Sequence, residues 1–263
     1  MQTPTNWRQR SRTDRLFFTV ELVLPSAAAP LYINALSTDV SNFSHDLDPL
    51  MGIIKFGAVA LKGSNGHIDI KVLAAPSAMV RSSNGGISGT FNTSALLDLR
   101  TSNGAIAAAV GVDGSTSTSA HPARVMLRTS NNALQSTLDL HTSTNSGGVF
   151  ALTADTSNGR LDTHIASLPA DSTLRAAART SNARALLALP RAFEGAFSAQ
   201  TSNAQPSVQR GEEEPDPAGR RRVVETQMVG KREVRGNVYW ERGNRARGEA
   251  SVRTSNGGVT IIL

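Results

Sequence analysis

The chain has 263 residues, of which 39% are hydrophobic and only 5% aromatic, and its formal net charge is +6. The absence of cysteine excludes disulfides, thiolate metal sites and a cysteine nucleophile. The sequence holds no apolar run of the roughly 18 residues needed for a spanning helix, and together with the missing cysteine this favours a cytoplasmic location.

Residues 1–30 are predicted to form an N-terminal lead-in or cap. A basic stretch precedes the apolar residues 16–24, and Pro25 and Pro30 follow. The charge pattern resembles a signal peptide in outline, but Glu21 interrupts the apolar stretch. A strand is therefore the favoured interpretation, with Phe17 and Phe18 as candidates to cap a repeat domain.

The dipeptide Ser-Asn, usually within Thr-Ser-Asn, recurs through residues 31–263, which we predict to be one repeat domain. Successive copies are separated by 19, 19, 28, 27, 24, 21 and 53 residues. Periods of this length are typical of stacked-repeat proteins. The copies end at these asparagines: Asn65, Asn84, Asn103, Asn131, Asn158, Asn182, Asn203 and Asn256.

Apolar residues alternate with polar ones around each asparagine. The positions six and four residues before it, and three after it, are almost always apolar, as with Leu97, Leu99 and Ile106 around Asn103. A period of two predicts half-buried strands on both sides of a Ser-Asn corner. The threonine two residues before the asparagine has inward parity, and we expect its hydroxyl to bond the threonine of the next coil.

Two folds fit this pattern. The favoured one is an all-β, right-handed parallel β-solenoid with about 19–28 residues per coil. The alternative is an antiparallel meander in which each Asn-Gly closes a hairpin. Asn131, Asn182 and Asn203 lack the following glycine that such a hairpin prefers, which favours the solenoid. In either fold the corner asparagine and glycine are expected to tolerate a left-handed backbone.

An exposed loop is predicted at about 206–222, where acidic residues and prolines precede three arginines. Beyond it lies Gly-Asn-Val-Tyr-Trp at 236–240, predicted to be a strand in which Tyr239 and Trp240 can cap the rod. The last Thr-Ser-Asn copy, at 254–256, stands close to the end of the chain.

The Thr-Ser-Asn-Gly corners, together with Gly-Asn-Val-Tyr-Trp and the final Val-Arg-Thr-Ser-Asn-Gly-Gly-Val, resemble the "putative adhesin" family of bacterial domains of unknown function, which has fungal relatives. The resemblance covers residues 55–263. It implies a β-helix-like solenoid without established catalytic residues, and thus a non-enzymatic adhesin-like scaffold or binding module. The sequence shows no membrane anchor like that of many bacterial members.

A row of cations occupies the position three residues before the asparagine. In a solenoid these side chains would stack on one outer face, where like charges repel unless carboxylates or a bound polyanion compensate them. Two hypotheses follow: a site for an acidic polysaccharide or another polyanion, or a solvated face balanced by Asp69, Asp98 and Asp162. The row consists of Lys62, Arg81, Arg100, Arg128, Arg179 and Arg253, interrupted by Asp155 and Gln200.

The alternative function is a carbohydrate-active solenoid enzyme of the polysaccharide lyase or hydrolase type. Such chemistry needs converging carboxylates, and Asp98, Asp139 and Asp162 are the residues whose convergence would support it. No catalytic, cofactor or metal residue is predicted, and the scarcity of interleaved aromatic residues makes nucleic acid an unlikely partner. Self-association through the solenoid ends is left open.

Overall fold

The computed structural model describes residues 18–24, 29–48, 52–211 and 221–263, which form 20 strands and one 3₁₀ turn, Arg242–Asn244. In chain order the strands are β1 (Leu31–Asp39), β2 (His45–Leu47), β3 (Ile54–Lys62), β4 (Ile68–Ala74), β5 (Ser77–Arg81), β6 (Ile87–Thr93), β7 (Leu96–Arg100), β8 (Ile106–Asp113), β9 (Ala123–Arg128) and β10 (Leu134–His141). They continue as β11 (Val149–Asp155), β12 (Leu161–Ser167), β13 (Thr173–Arg179), β14 (Ala185–Ala188), β15 (Gly195–Gln200), β16 (Pro206–Gln209), β17 (Val223–Val229), β18 (Glu233–Tyr239), β19 (Gly248–Arg253) and β20 (Val259–Ile262).

The strands form two sheets, and each coil contributes one strand to each sheet. Sheet A has 11 strands in the order β1-β3-β5-β7-β9-β11-β13-β19-β15-β18-β17. Sheet B has nine, in the order β16-β20-β14-β12-β10-β8-β6-β4-β2. Strands of successive coils pair in parallel, for example β7 with β9 and β8 with β10. The parallel β-solenoid is thus confirmed, and the antiparallel meander is wrong for the repeats.

The core lies between the two sheets and follows the alternation predicted from the sequence. Leu97, Leu99 and Ile106 of one coil are each at most 1% exposed. The equivalent residues of the neighbouring coils stack on them in register, as Val80 does on Leu99. Narrow coils need only medium-sized aliphatic side chains to fill this space, which explains the small number of aromatic residues.

The final coil of the sequence does not lie at the end of the rod. Strand β19 sits between β13 and β15, and β20 sits between β14 and β16. After β14 the chain therefore skips one coil position and forms the terminal coil with β15 and β16. Strands β19 and β20 later occupy the skipped position. The 53-residue gap between Asn203 and Asn256 contains this excursion.

An antiparallel hairpin, β17–β18, extends sheet A beyond β15. Tyr239 at its end is buried. The predicted exposed loop is too long at its start, because residues 206–209 form β16 and pair with β20. The predicted N-terminal strand is also wrong for residues 18–24, which have no secondary structure and are mostly exposed; Phe17 lies outside the described residues.

The corner asparagines form a continuous hydrogen-bonded ladder, one per coil. Each side-chain amide donates to the side-chain oxygen in the neighbouring coil, at 2.6–2.7 Å, as Asn84 does to Asn65 and Asn103 to Asn84. The backbone supports the same step, since the N–H groups of Ser102 and Asn103 both donate to the Ser83 carbonyl. The ladder runs in the order Asn42, Asn65, Asn84, Asn103, Asn131, Asn158, Asn182, Asn256 and Asn203.

The corner threonines point inward as predicted, but their expected hydroxyl partner is wrong. Thr101 donates to the Gly85 carbonyl of the preceding coil at 2.9 Å and accepts from its own Gly104 N–H. Thr129 donates likewise to the Gly104 carbonyl at 2.8 Å. The hydroxyl bonds a backbone carbonyl instead of the threonine of the next coil, because the corner turn places the carbonyl oxygen directly beneath the hydroxyl.

The left-handed backbone expected at the corners is also wrong. The described non-glycine residues with positive φ are Asn145 (53°) and Asp171 (57°), and neither lies at a Ser-Asn corner. A different constraint favours glycine there. A Cβ on Gly104 would come within 2.1 Å of the Gly85 carbonyl oxygen, so close stacking of the coils selects the residue.

Candidate anion-binding face

The cationic row predicted from the sequence lies on the outer face of sheet A. Lys62, Arg81, Arg100 and Arg128 occupy matched positions on the consecutive strands β3, β5, β7 and β9. Neighbouring strands of a sheet are about 4.8 Å apart, so these four side chains form a closely spaced line along the rod. Parallel stacking therefore brings together residues that are up to 66 positions apart in sequence.

A buried carboxylate compensates the middle of the row. Asp98 is 2% exposed, and its oxygens lie 2.7 Å from Arg100 Nε and 3.3 Å from an Arg81 guanidinium nitrogen. Its register partners on the adjacent strands are Met79 and Met126. A buried charge is tolerated when paired in this way, and Arg81 and Arg100 are thereby engaged within the protein.

Two further carboxylates belong to the row itself. Asp39 contacts Lys62 at 2.8 Å, and Asp155 contacts Arg128 at 3.2 Å. The balancing role predicted for Asp69 and Asp162 is wrong, because both lie on sheet B: Asp69 accepts from Ser88, and Asp162 pairs with Arg160. Compensation by aspartate is therefore real, but Asp98 is the one member of the predicted set that supplies it.

Arg179 and Arg253 are the members of the row for which the described residues supply no ion pair. They are 74 residues apart in sequence, yet they pair in register because β19 lies next to β13. Both side chains are exposed, and no carboxylate of the described residues lies within 4 Å of either. The inserted coil thus creates a pair of adjacent arginines that their distance in sequence conceals.

Two arginines that the sequence analysis missed lie on the same face. Arg124 and Arg175 stand seven residues before their corner asparagines, at a position with the same outward parity as the row. Both are exposed, and in the described ranges neither has a carboxylate partner within 4 Å. Extending the pattern to the outward position four residues further from the corner would have found them.

The outer face of sheet A also carries two grooves. One, of about 280 Å³, lies over β11 and is lined by Arg124, Met126, Ala151, Thr153 and Arg175, with the loop residues Ser119 and Pro122 at one end. The other, of about 530 Å³, lies by the β17–β18 hairpin. Its charges are largely paired, since Arg235 contacts Glu233 at 2.6 Å and Arg245 contacts Glu225 at 3.0 Å.

The carboxylates named for the enzyme alternative do not converge. Asp98 lies on β7 of sheet A, whereas Asp139 and Asp162 lie on β10 and β12 of sheet B. Asp139 accepts from Ser167, and Asp162 pairs with Arg160. Among the described residues no group of three or more histidines and carboxylates is arranged to hold a metal ion.

A second buried carboxylate fixes the end of the rod. Glu194 accepts from the Trp240 and Glu241 backbone N–H groups at 2.7 and 3.1 Å, from the Asn244 amide at 2.8 Å and from Arg247 at 3.2 Å. These contacts tie the β14–β15 connection to the segment that leads into β19. Nearby, burial and the charge of Arg191 lower the pKa of Arg222 to about 10.

Comparisons with known proteins leave the chain without an assigned family. No protein-family model matches it, and no curated protein does. One solved structure that resembles it is the crystal structure of a "putative cell adhesion protein" from Clostridium sporogenes, with 11% sequence identity and a TM-score of 0.33. That match covers 54% of this chain and 56% of the other, so this chain spans about half the length of that protein. In the described residues no helix is long and apolar enough to cross a membrane.

Proposed function

We propose that this protein is a non-enzymatic, adhesin-like binding module that holds an anionic polymer along the outer face of sheet A. The observation that carries the proposal is the stacking of the cationic row on consecutive strands, with Arg179 and Arg253 exposed and side by side. Guanidinium groups suit oxyanions because they present fixed pairs of N–H donors. A linear array suits a linear polymer, and the excess of positive charge favours encounter with it.

An acidic polysaccharide is the proposed class of ligand. On the described strands β5, β7, β9, β11, β13 and β19, no outward position holds an aromatic side chain on which a nucleobase could stack. Thr153, Thr173 and Ser251 add hydroxyl groups to the same face, which can serve the carboxylates and hydroxyls of a sugar. No observation favours the alternative of a polysaccharide lyase or hydrolase, since the carboxylates that such chemistry requires are distributed over two sheets.

The experiment compares binding of the purified protein to acidic polysaccharides, nucleic acid and anionic vesicles at low and physiological salt. The test variant changes Lys62, Arg179 and Arg253 to serine, because these exposed residues can be removed without leaving a buried carboxylate unpaired. The control changes Arg184, Arg221 and Arg242 to serine, which removes the same number of positive charges from exposed residues that are not part of the row.

Binding to an acidic polysaccharide that persists at physiological salt, weakens in the test variant and is retained in the control would support the proposal. Weak binding to every polyanion, abolished by salt and equally reduced in both variants, would contradict it, because such behaviour reflects net charge alone.

A further inference from the structure

Strands β9, β11 and β13 carry the same outward pattern twice. At one level Asp155 lies between Arg128 and Arg179, its register partners on the two sides. Four residues earlier on each strand, Ala151 lies between Arg124 and Arg175. The flanking arginines are thus repeated, but the central carboxylate is present at one level and absent at the other.

The space between the two arginines is open above Ala151, whereas the carboxylate of Asp155 occupies the equivalent space. Asp155 forms an ion pair of 3.2 Å with Arg128. Above Ala151 the structure instead has the groove of about 280 Å³, with Ala151 and Thr153 as its floor and Arg124 and Arg175 in its opposite walls. Those two arginines are two strand spacings apart, about 10 Å, so an oxyanion between them can be reached by both long side chains.

We propose that this groove is a carboxylate-binding subsite for a uronic-acid polymer. A carboxylate of the polymer would lie between Arg124 and Arg175. This position corresponds to that of Asp155, which lies between Arg128 and Arg179. The inference rests on the proposed function and names the charged group that the face recognises. Thr153 and Thr173, which also line the groove, supply hydroxyl groups for the sugar that carries the carboxylate. Ser119 and Pro122, in the loop before β9, also line the groove.

The test measures binding of polygalacturonate to the full chain at physiological salt, with fully methyl-esterified polygalacturonate as the matched ligand lacking the charge. Two variants address the subsite: Arg124→Ser with Arg175→Ser, which removes the donors, and Ala151→Asp, which supplies an internal carboxylate to them. The control variant, Arg184→Ser with Arg232→Ser, lowers net charge as much as the first but acts away from the groove. Thermal unfolding of each variant verifies that it is folded.

We expect both subsite variants to bind polygalacturonate about tenfold more weakly or worse, because each loses at least one charge-assisted hydrogen bond to the ligand. The control should bind like the wild type, and the methyl ester should not bind to any of them. Should Ala151→Asp fail to fold, the arginine variant still decides the question.

Undiminished binding in the two subsite variants would overturn this inference while leaving the proposed function intact. Equal weakening in the control would also overturn it, since net charge would then explain the loss. Failure of the wild-type protein to bind any acidic polysaccharide would instead refute the proposed function, and the inference with it.

Discussion

Asn256 donates a side-chain hydrogen bond of 2.7 Å to Asn182, although 74 residues separate them. Asn203, which follows Asn182 in the sequence of repeats, donates to Asn256 instead. The last repeat of the chain is therefore an internal coil of the rod, with neighbours on both sides. The coils on both sides of the last repeat therefore depend on the C-terminal residues for their stacking contacts.

Deletion of residues 248–263 should destabilise the rod more than deletion of residues 1–52. The first removes β19 and β20, and with them the interfaces to two neighbouring coils, whereas the second removes an end coil that has one such interface. Stability in stacked-repeat proteins depends on the sum of these nearest-neighbour terms. Thermal unfolding followed by circular dichroism checks the order, and a C-terminal deletion that melts like the full chain would contradict it.

Ile106→Asp should unfold the protein or cost roughly 4 kcal/mol or more, because it places an unpaired charge in the stacked apolar interior. The neighbouring residue supplies the control. Ala107 is exposed on the other face of β8, so Ala107→Asp should change stability by no more than about 0.5 kcal/mol. Chemical denaturation of both variants tests the assignment of inner and outer faces, which similar losses would refute.

Arg100→Ser should cost about 1–3 kcal/mol, although the sequence alone presents Arg100 as an ordinary surface residue. The substitution removes the closer of two partners from the buried Asp98 and leaves that carboxylate dependent on Arg81. Arg179→Ser is the comparison, with an expected effect within about 0.5 kcal/mol because Arg179 is exposed and has no described carboxylate partner within 4 Å. Urea unfolding curves of the two variants should therefore separate clearly.

Glu194→Gln should loosen the inserted coil and lower the free energy of unfolding by about 2–3 kcal/mol. The amide keeps one acceptor oxygen but loses the charge that attracts Arg247 and replaces the second acceptor by a donor. Hydrogen exchange should report faster exchange in β19 and β20 than in β7 and β8. The exposed Glu249, changed to glutamine, serves as the control, and exchange that is uniform along the rod would contradict this role.

Acidification should weaken the first coils through His45. Burial lowers the pKa of His45 from its ordinary value of 6.5, and Thr38 is its hydrogen-bond partner at 2.9 Å. The folded state disfavours the protonated imidazole ring. The contribution of neutral His45 to the free energy of unfolding is therefore complete above about pH 6.5 and is lost as the pH falls below that value. Melting temperatures at pH 7.5 and 5.5 check this: His45→Gln should show a smaller difference than the wild type.

The sequence by itself determined the unit of this fold. Alternation around Asn103 is sufficient to assign Leu99 and Ile106 to the interior and Arg100 to the surface, because a strand presents successive side chains to opposite faces. It also predicted that Lys62, Arg81, Arg100 and Arg128 would stack, since equal offsets from a repeated corner become neighbours in parallel coils. Its prediction that the corner hydroxyl bonds the threonine of the next coil is wrong, because the partner depends on the local position of a backbone carbonyl.

The tertiary structure decided the order of the coils and the charges that remain uncompensated. Repeat units share nearly the same flanking pattern, so any one of them can in principle stack on any other, and local sequence cannot specify which neighbours it receives. In the folded chain Glu194 contacts the segment before β19, and β19 pairs with β13, which places Arg253 beside Arg179. Asp98 illustrates the same limit, because its outward parity predicts exposure, whereas the two arginines and two methionines around it make it a buried charge.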